Sequence, residues 1–150
     1  MVWITGALLA LCAPFSNAGL IRRAGVSASK DGGAVDMTSG GGGTYPRVNF
    51  LSDGSLIGAY AATVGDNKVL TLAKSTDNGA SWSSLGTAST RPVDESDLDN
   101  PYPLQLPGGR VLLAYRNHDK DPSTGDYTYF RITISYSDDN GATWEYLSSK

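Results

Sequence analysis

Short runs of alternating apolar and polar residues, broken by glycine-rich turns, dominate the chain from residue 44 onward. Val69-Leu70-Thr71-Leu72-Ala73 and Tyr129-Phe130-Arg131-Ile132-Thr133-Ile134 follow the two-residue period of a half-buried strand. Asp53-Gly54 and Gly108-Gly109 supply the residues that tight hairpin turns require. The pattern predicts strands over roughly 46–51, 55–62, 68–75 and 81–86, and again over roughly 103–106, 110–116, 127–137 and 143–148. Nothing in it has a helical period, so the fold class expected is all-β.

The eight strands fall into two groups of four because the sequence repeats. Ser75-Thr76-Asp77-Asn78-Gly79-Ala80-Ser81-Trp82 returns as Ser137-Asp138-Asp139-Asn140-Gly141-Ala142-Thr143-Trp144, and both copies fit S-x-D-x-G-x-[S/T]-W. Upstream, Tyr45-Pro46 and Leu51 to Tyr60 parallel Tyr102-Pro103 and Leu106 to Tyr115. Repetition at this spacing is the mark of a repeat architecture such as a propeller. Each motif spans the turn between the third and fourth strand of its unit. The Asp carboxylate is expected to accept N–H groups of its own turn, the Gly to take positive φ, and the Trp to pack as an apolar plug. Ser75, Asp77, Gly79, Trp82, Ser137, Asp139, Gly141 and Trp144 are therefore read as structural, not as catalytic acids. Neither copy has the oxygen-ligand series of a calcium loop.

Composition narrows the partners. A net charge of −3 argues against a phosphate-backbone partner, which needs a basic surface. Met1 to Ala18 combines the apolar run Ile4–Ala13 with Ser16-Asn17-Ala18, a small-x-small cleavage pattern before Gly19. This reads as a secretory signal peptide without the usual basic start, too short to span a bilayer. A secreted, extracellular location and no membrane partner are expected. Cys12, the single cysteine, lies inside that segment, so the mature chain would rely on core packing rather than disulfides. Arg22-Arg23 reads as a solvated pair on the tail. The domains expected are a signal peptide over 1–18, a lead-in over 19–43 that includes the Gly40–Gly43 run, and a partial propeller over 44–150. Blade one is placed at about 44–88 and blade two at about 100–150.

The two motifs resemble the Asp-box (BNR) repeats of sialidases and related glycoside hydrolases. Tyr45-Pro46-Arg47-Val48 with Leu51-Ser52-Asp53-Gly54 is most similar to glycoside hydrolase family 93, the exo-acting arabinanases. The resemblance covers about residues 44–150 and implies a sialidase-like β-propeller of six blades, of which this chain would supply the first two. Propellers close with roughly four to eight blades, so two blades would leave an open apolar face and read as an N-terminal fragment, monomeric when complete. The resemblance also implies a secreted glycoside hydrolase exo-acting on an arabinan-type plant polysaccharide, its partner a polysaccharide or oligosaccharide. Both catalytic glutamates of that family belong to later blades and no position here matches them, so no catalytic residue is assigned and the fragment alone is expected to be inactive. A sialidase is the second reading. Its first arginine stands in a Phe/Tyr-Arg-Ile-Pro motif, whereas the order here is Tyr-Pro-Arg-Val and Arg47 lies close to Gly54. A non-catalytic glycan- or protein-binding propeller is the third, since a fold does not fix a function.

In the resembled families the active site lies on the face opposite the Asp boxes, which singles out three segments. Tyr45 and Arg47 open the first strand, where a guanidinium fork would suit a sugar hydroxyl or carboxylate. The acidic stretch Asp94-Glu95-Ser96-Asp97-Leu98-Asp99-Asn100-Pro101-Tyr102 is read as an inter-blade loop. Asp99, Asn100 and Tyr102 are its candidates for substrate contact, and Asp97 or Asp99 would stand where sialidases carry a general acid. Arg116 to Asp121 is read as a loop between the second and third strands of blade two, contributing Arg116 and His118. The sequence carries no metal-ligand cluster and no nucleophile motif, so no metal and no cofactor is expected.

Overall fold

The computed structural model describes residues 33–150; the signal-peptide reading, Cys12 and Arg22-Arg23 lie outside them. Eight strands form two four-stranded antiparallel sheets. The first contains β1 (Thr44–Phe50), β2 (Leu56–Val64), β3 (Asn67–Ser75) and β4 (Ser83–Pro92), paired in chain order. The second contains β5 (Ser96–Gln105), β6 (Val111–Lys120), β7 (Tyr127–Ser137) and β8 (Glu145–Ser149), paired the same way. No helix occurs among the described residues, and the two meanders are propeller blades.

Three strands run further than the sequence pattern suggested. β4 continues to Pro92, β5 begins at Ser96, and β6 extends to Lys120. The acidic stretch is therefore mostly strand, with Val93–Glu95 as the link, and Arg116 to Lys120 is strand rather than loop. The cause is backbone pairing. Ser96, Asp97, Leu98 and Asp99 pair with Asp119, His118, Asn117 and Arg116, so a polar stretch gains a partner that no local periodicity announces.

The core lies between the blades. Ile57, Ala59, Ala61, Leu70 and Leu72 of the first sheet meet Leu98, Val111, Leu113 and Tyr115 of the second. Leu85, Ala88 and Trp144 pack against this cluster. Ile57 pairs with Lys74, Ala59 with Leu72 and Ala61 with Leu70, which puts this apolar set on one side of the sheet, as a two-residue period requires. The small Ala59 and Ala61 leave room for the second sheet to approach.

The two motif turns are nearly superimposable in their bonding. Ser75 Oγ donates to Asp77 at 2.7 Å and accepts Gly79 N–H at 2.8 Å, while Asp77 accepts Ser81 N–H at 2.9 Å and Ser81 Oγ at 2.6 Å. In the second copy, Ser137 Oγ donates to Asp139 at 2.7 Å and accepts Gly141 N–H at 2.8 Å; Asp139 accepts Thr143 N–H at 2.8 Å and Thr143 Oγ1 at 2.7 Å. Asn78-Gly79 and Asn140-Gly141 carry the positive φ that closes each turn. Gly141 is also packed. A Cβ there would stand 2.9 Å from Ile57 Cδ1, so the second turn seats directly on the first blade. The tryptophans differ in place: Trp144 packs into the inter-blade core, whereas Trp82 lies against Gly58 beside Met37.

The hairpin turns after β1 and β5 share this end of the molecule. Lys74 of β3 bonds Asp53 at 3.1 Å, and Gln105 links the blades by accepting Ser52 N–H at 2.6 Å. The start of β1, the Val93–Glu95 link and the ends of β2 and β6 lie at the opposite end.

Candidate functional site

At that opposite end both inner strands break register at the same place. Thr44 pairs with Ala61 and Arg47 with Ala59; Asp99 pairs with Arg116 and Tyr102 with Ala114. Each break is a bulge at an X-Pro step, and the residue before proline has positive φ: 54° at Tyr45 and 47° at Asn100. A residue before proline normally stays extended, and a non-glycine residue held at positive φ costs on the order of 1–3 kcal/mol. The geometry aligns Tyr45-Pro46-Arg47 with Asn100-Pro101-Tyr102. The sequence parallel of Tyr45-Pro46 with Tyr102-Pro103 is thus off by two residues, because matching Tyr-Pro letters outweighed the constant spacing to Leu51 and Leu106.

Asp99 is largely buried, and the Arg116 guanidinium grips both its oxygens through Nε and Nη2. The Asn100 amide oxygen, turned to suit both groups, accepts from the same two nitrogens at 3.1 Å. Bidentate pairing of this kind fixes orientation as well as charge. The rest of the Arg116 fork stays accessible, its side chain being 40% exposed.

Asp97 sits two residues earlier. Tyr127 Oη donates to it at 2.9 Å, and Lys68 of the first blade approaches to 3.4 Å. Burial would raise its pKa, but the Tyr127 hydroxyl and the Lys68 ammonium outweigh burial and hold the carboxyl below its ordinary value. The donated bond to Asp97, with burial, raises the Tyr127 phenol. Asp97 is therefore an anion at neutral pH, and Asp99 is committed to Arg116. Asp97 is thus not placed as a proton donor.

Thr44, Tyr45, Ala61, Ala62, Lys68, Asp97 and Asp99 line one cleft of about 250 Å³ between the blades. The structure thus brings together Tyr45 and Asp99, with Asn100 and Arg116 directly behind them. Arg47 and Tyr102 stay apart, at matching exposed positions on the far side of the bulges; Arg47 Nη1 donates to Pro46 O at 2.9 Å. His118, placed in a loop by the sequence reading, belongs to β6 and meets Phe130 and Tyr127 edge-on, with ring centroids 4.7 and 5.5 Å away. Its surroundings are aromatic, and it stands beside Tyr127 rather than in the cleft. Lys68 and Tyr127 were missed. No local signal marks either, because each acquires its role from a strand of the other unit or from a distant part of its own. No metal-ligating cluster occurs among the described residues.

Repeated four-stranded blades, closed by matching turns and packed face to face, define the propeller class found among glycoside hydrolases. Within it, the chain is similar to the solved structure of the α-L-arabinofuranosidase Arb93A from Fusarium graminearum in complex with an iminosugar inhibitor. The two share 25% sequence identity and a TM-score of 0.55 over 71% of this chain and 31% of that one. A mutant of the same enzyme, again with an iminosugar inhibitor, matches with 24% identity and a TM-score of 0.53 over the same shares. The chain thus spans about a third of the length of the solved structures it matches. No family model and no curated protein matches the sequence.

Proposed function

We propose that this chain forms part of the saccharide-binding wall of a secreted glycoside hydrolase, exo-acting on arabinan-type polysaccharide. The observation that carries the reading is the cleft between the inner strands, flanked by two strained bulges, with the oriented Asp99–Arg116 pair beside the second of them. Backbone strain of this kind persists where the surroundings over-determine it, as binding sites do. Fixed carboxylate and guanidinium groups suit sugar hydroxyls, which both donate and accept. The likeness to an arabinofuranosidase supports an arabinofuranosyl unit as the sugar.

Glycoside cleavage needs a carboxylic acid to protonate the leaving oxygen and a second carboxylate as nucleophile or base. The ionised Asp97 is not that acid, and both oxygens of Asp99 are taken up by Arg116. The role of the chain is to hold substrate, and the catalytic pair is assigned to no residue of it.

The test is hydrolysis of linear arabinan by the protein purified from its own organism, beside the same protein with Arg116→Ala. Release of short arabinose products is expected, with kcat/KM at least tenfold lower in the variant and most of the loss in KM. Binding of arabino-oligosaccharide without any hydrolysis would instead establish a glycan-binding propeller. Neither binding nor hydrolysis would overturn both.

A further inference from the structure

A second cleft, of about 390 Å³, opens between β4 of the first blade and β6–β8 of the second, away from the inner strands. It is walled by Arg91 on one side and Arg131 on the other, with Ser89, Asn117, Ser135 and Ser149 along its length. One carboxylate serves both arginines. Arg131 Nη2 bonds both oxygens of Asp119, and Arg91 Nη2 stands 3.7 Å from the same group. Among these three groups, two guanidinium charges face one carboxylate, leaving one positive charge in surplus.

The arginines also have bonding capacity to spare. At 3.7 Å the Arg91 contact is an ion pair without a hydrogen bond. The Nε–H groups of both Arg91 and Arg131 are buried and have no partner among the described residues. An orphaned buried donor is rare and calls for an explanation. Five N–H groups per guanidinium, with few of them used, fit a ligand carboxylate that takes the place of the missing acceptors as the forks turn toward it.

The remaining wall is hydroxyl-rich and points to what carries that carboxylate. Thr133 and Ser149 bond each other at 2.9 Å, and Tyr115 meets Ser135 at 3.4 Å, two hydroxyl pairs with donors and acceptors left over. A simple anion would use the arginines alone. A neutral sugar would use the hydroxyls and leave the charge unanswered. We propose that this inter-blade cleft binds a uronate, a sugar ring bearing a carboxylate, with the carboxylate on Arg91 and Arg131 and the ring hydroxyls on the serine wall. The site lies apart from the inner cleft and needs no hydrolysis to be observed, so it stands or falls separately from the arabinan reading.

Calorimetric titration of the full chain with methyl glucuronide, methyl glucoside and acetate tests it. Methyl glucuronide is expected to bind at least tenfold more tightly than either of the others. Arg91→Gln should weaken it at least tenfold without shifting the melting temperature. Ser89→Tyr, which fills the cleft and leaves both ion pairs in place, should abolish binding and controls for a misfolded arginine variant. Acetate binding as tightly as the glucuronide would overturn the sugar assignment, and glucoside matching it would overturn the role of the arginines. Unchanged affinity in Ser89→Tyr would move the ligand out of this cleft altogether.

Discussion

Two aspartates, Asp77 and Asp139, show how little of a motif is left free once it folds. Each spends both carboxylate oxygens on the backbone and hydroxyls of its own turn, which holds its pKa down to about 2. Bonds from Ser81 lead the causes in the first turn and bonds from Thr143 in the second. Asp53 is held at about 2 as well, by Ser55 first and then Lys74. A carboxyl depressed in the folded state contributes stability that is present above its unfolded pKa, near 3.8, and is lost as pH falls through about 2. Acid titration followed by circular dichroism is therefore expected to show stability declining from about pH 4 toward pH 2. Asp139→Asn should melt lower than the parent at pH 7, with the gap narrowing toward pH 2. A gap that stays constant would mean that the turn does not depend on the ionised form. The required Ser/Thr at the seventh motif position has the same origin, because that hydroxyl is one of the donors.

At the scale of the element, the paired strands β5 and β6 decide what the polar residues can do. Asp99 and Arg116 are 17 residues apart in sequence, yet strand pairing sets them directly opposite one another. Read as loops, the same residues would be mobile and weakly oriented. β6 is hydrogen-bonded on both sides, to β5 and to β7. Hydrogen exchange is therefore expected to show Asn117 to Asp119 as protected as Leu112 to Tyr115, at least tenfold slower than the Asp121–Asp126 turn. Exchange at turn-like rates would return the segment to a loop and remove the basis for an oriented site. The alternation rule identified the apolar strands and missed their polar extensions, because a polar strand has no periodicity to detect when its order comes from a neighbour's backbone. His118 was misplaced for that reason.

The whole molecule is held by the interface between blades. Leu113, fully buried there, packs among Ile57, Leu72 and Val111. Leu113→Ala is expected to destabilise the protein by about 2–5 kcal/mol, read from denaturant unfolding, since the cavity would lie where two sheets meet and neither can collapse alone. The other side of the second sheet is open: Tyr102, Leu104, Phe130 and Ile132 are all exposed, Phe130 at 63%. The sequence determined the turns, the strand count and the two-unit repeat, because these rest on short-range chemistry: alternation, positive-φ glycines, and a serine and an aspartate two residues apart. It also placed Tyr45, Asp99, Asn100 and Arg116 among the candidates. Only the tertiary structure separated those four from Arg47, Tyr102 and His118, joined Lys68 of one blade to Asp97 of the next, and set Arg91 and Arg131 across a common cleft. Each of these depends on two sheets meeting at one angle and one register, and a single strand's pattern holds no record of where its neighbour's side chains arrive.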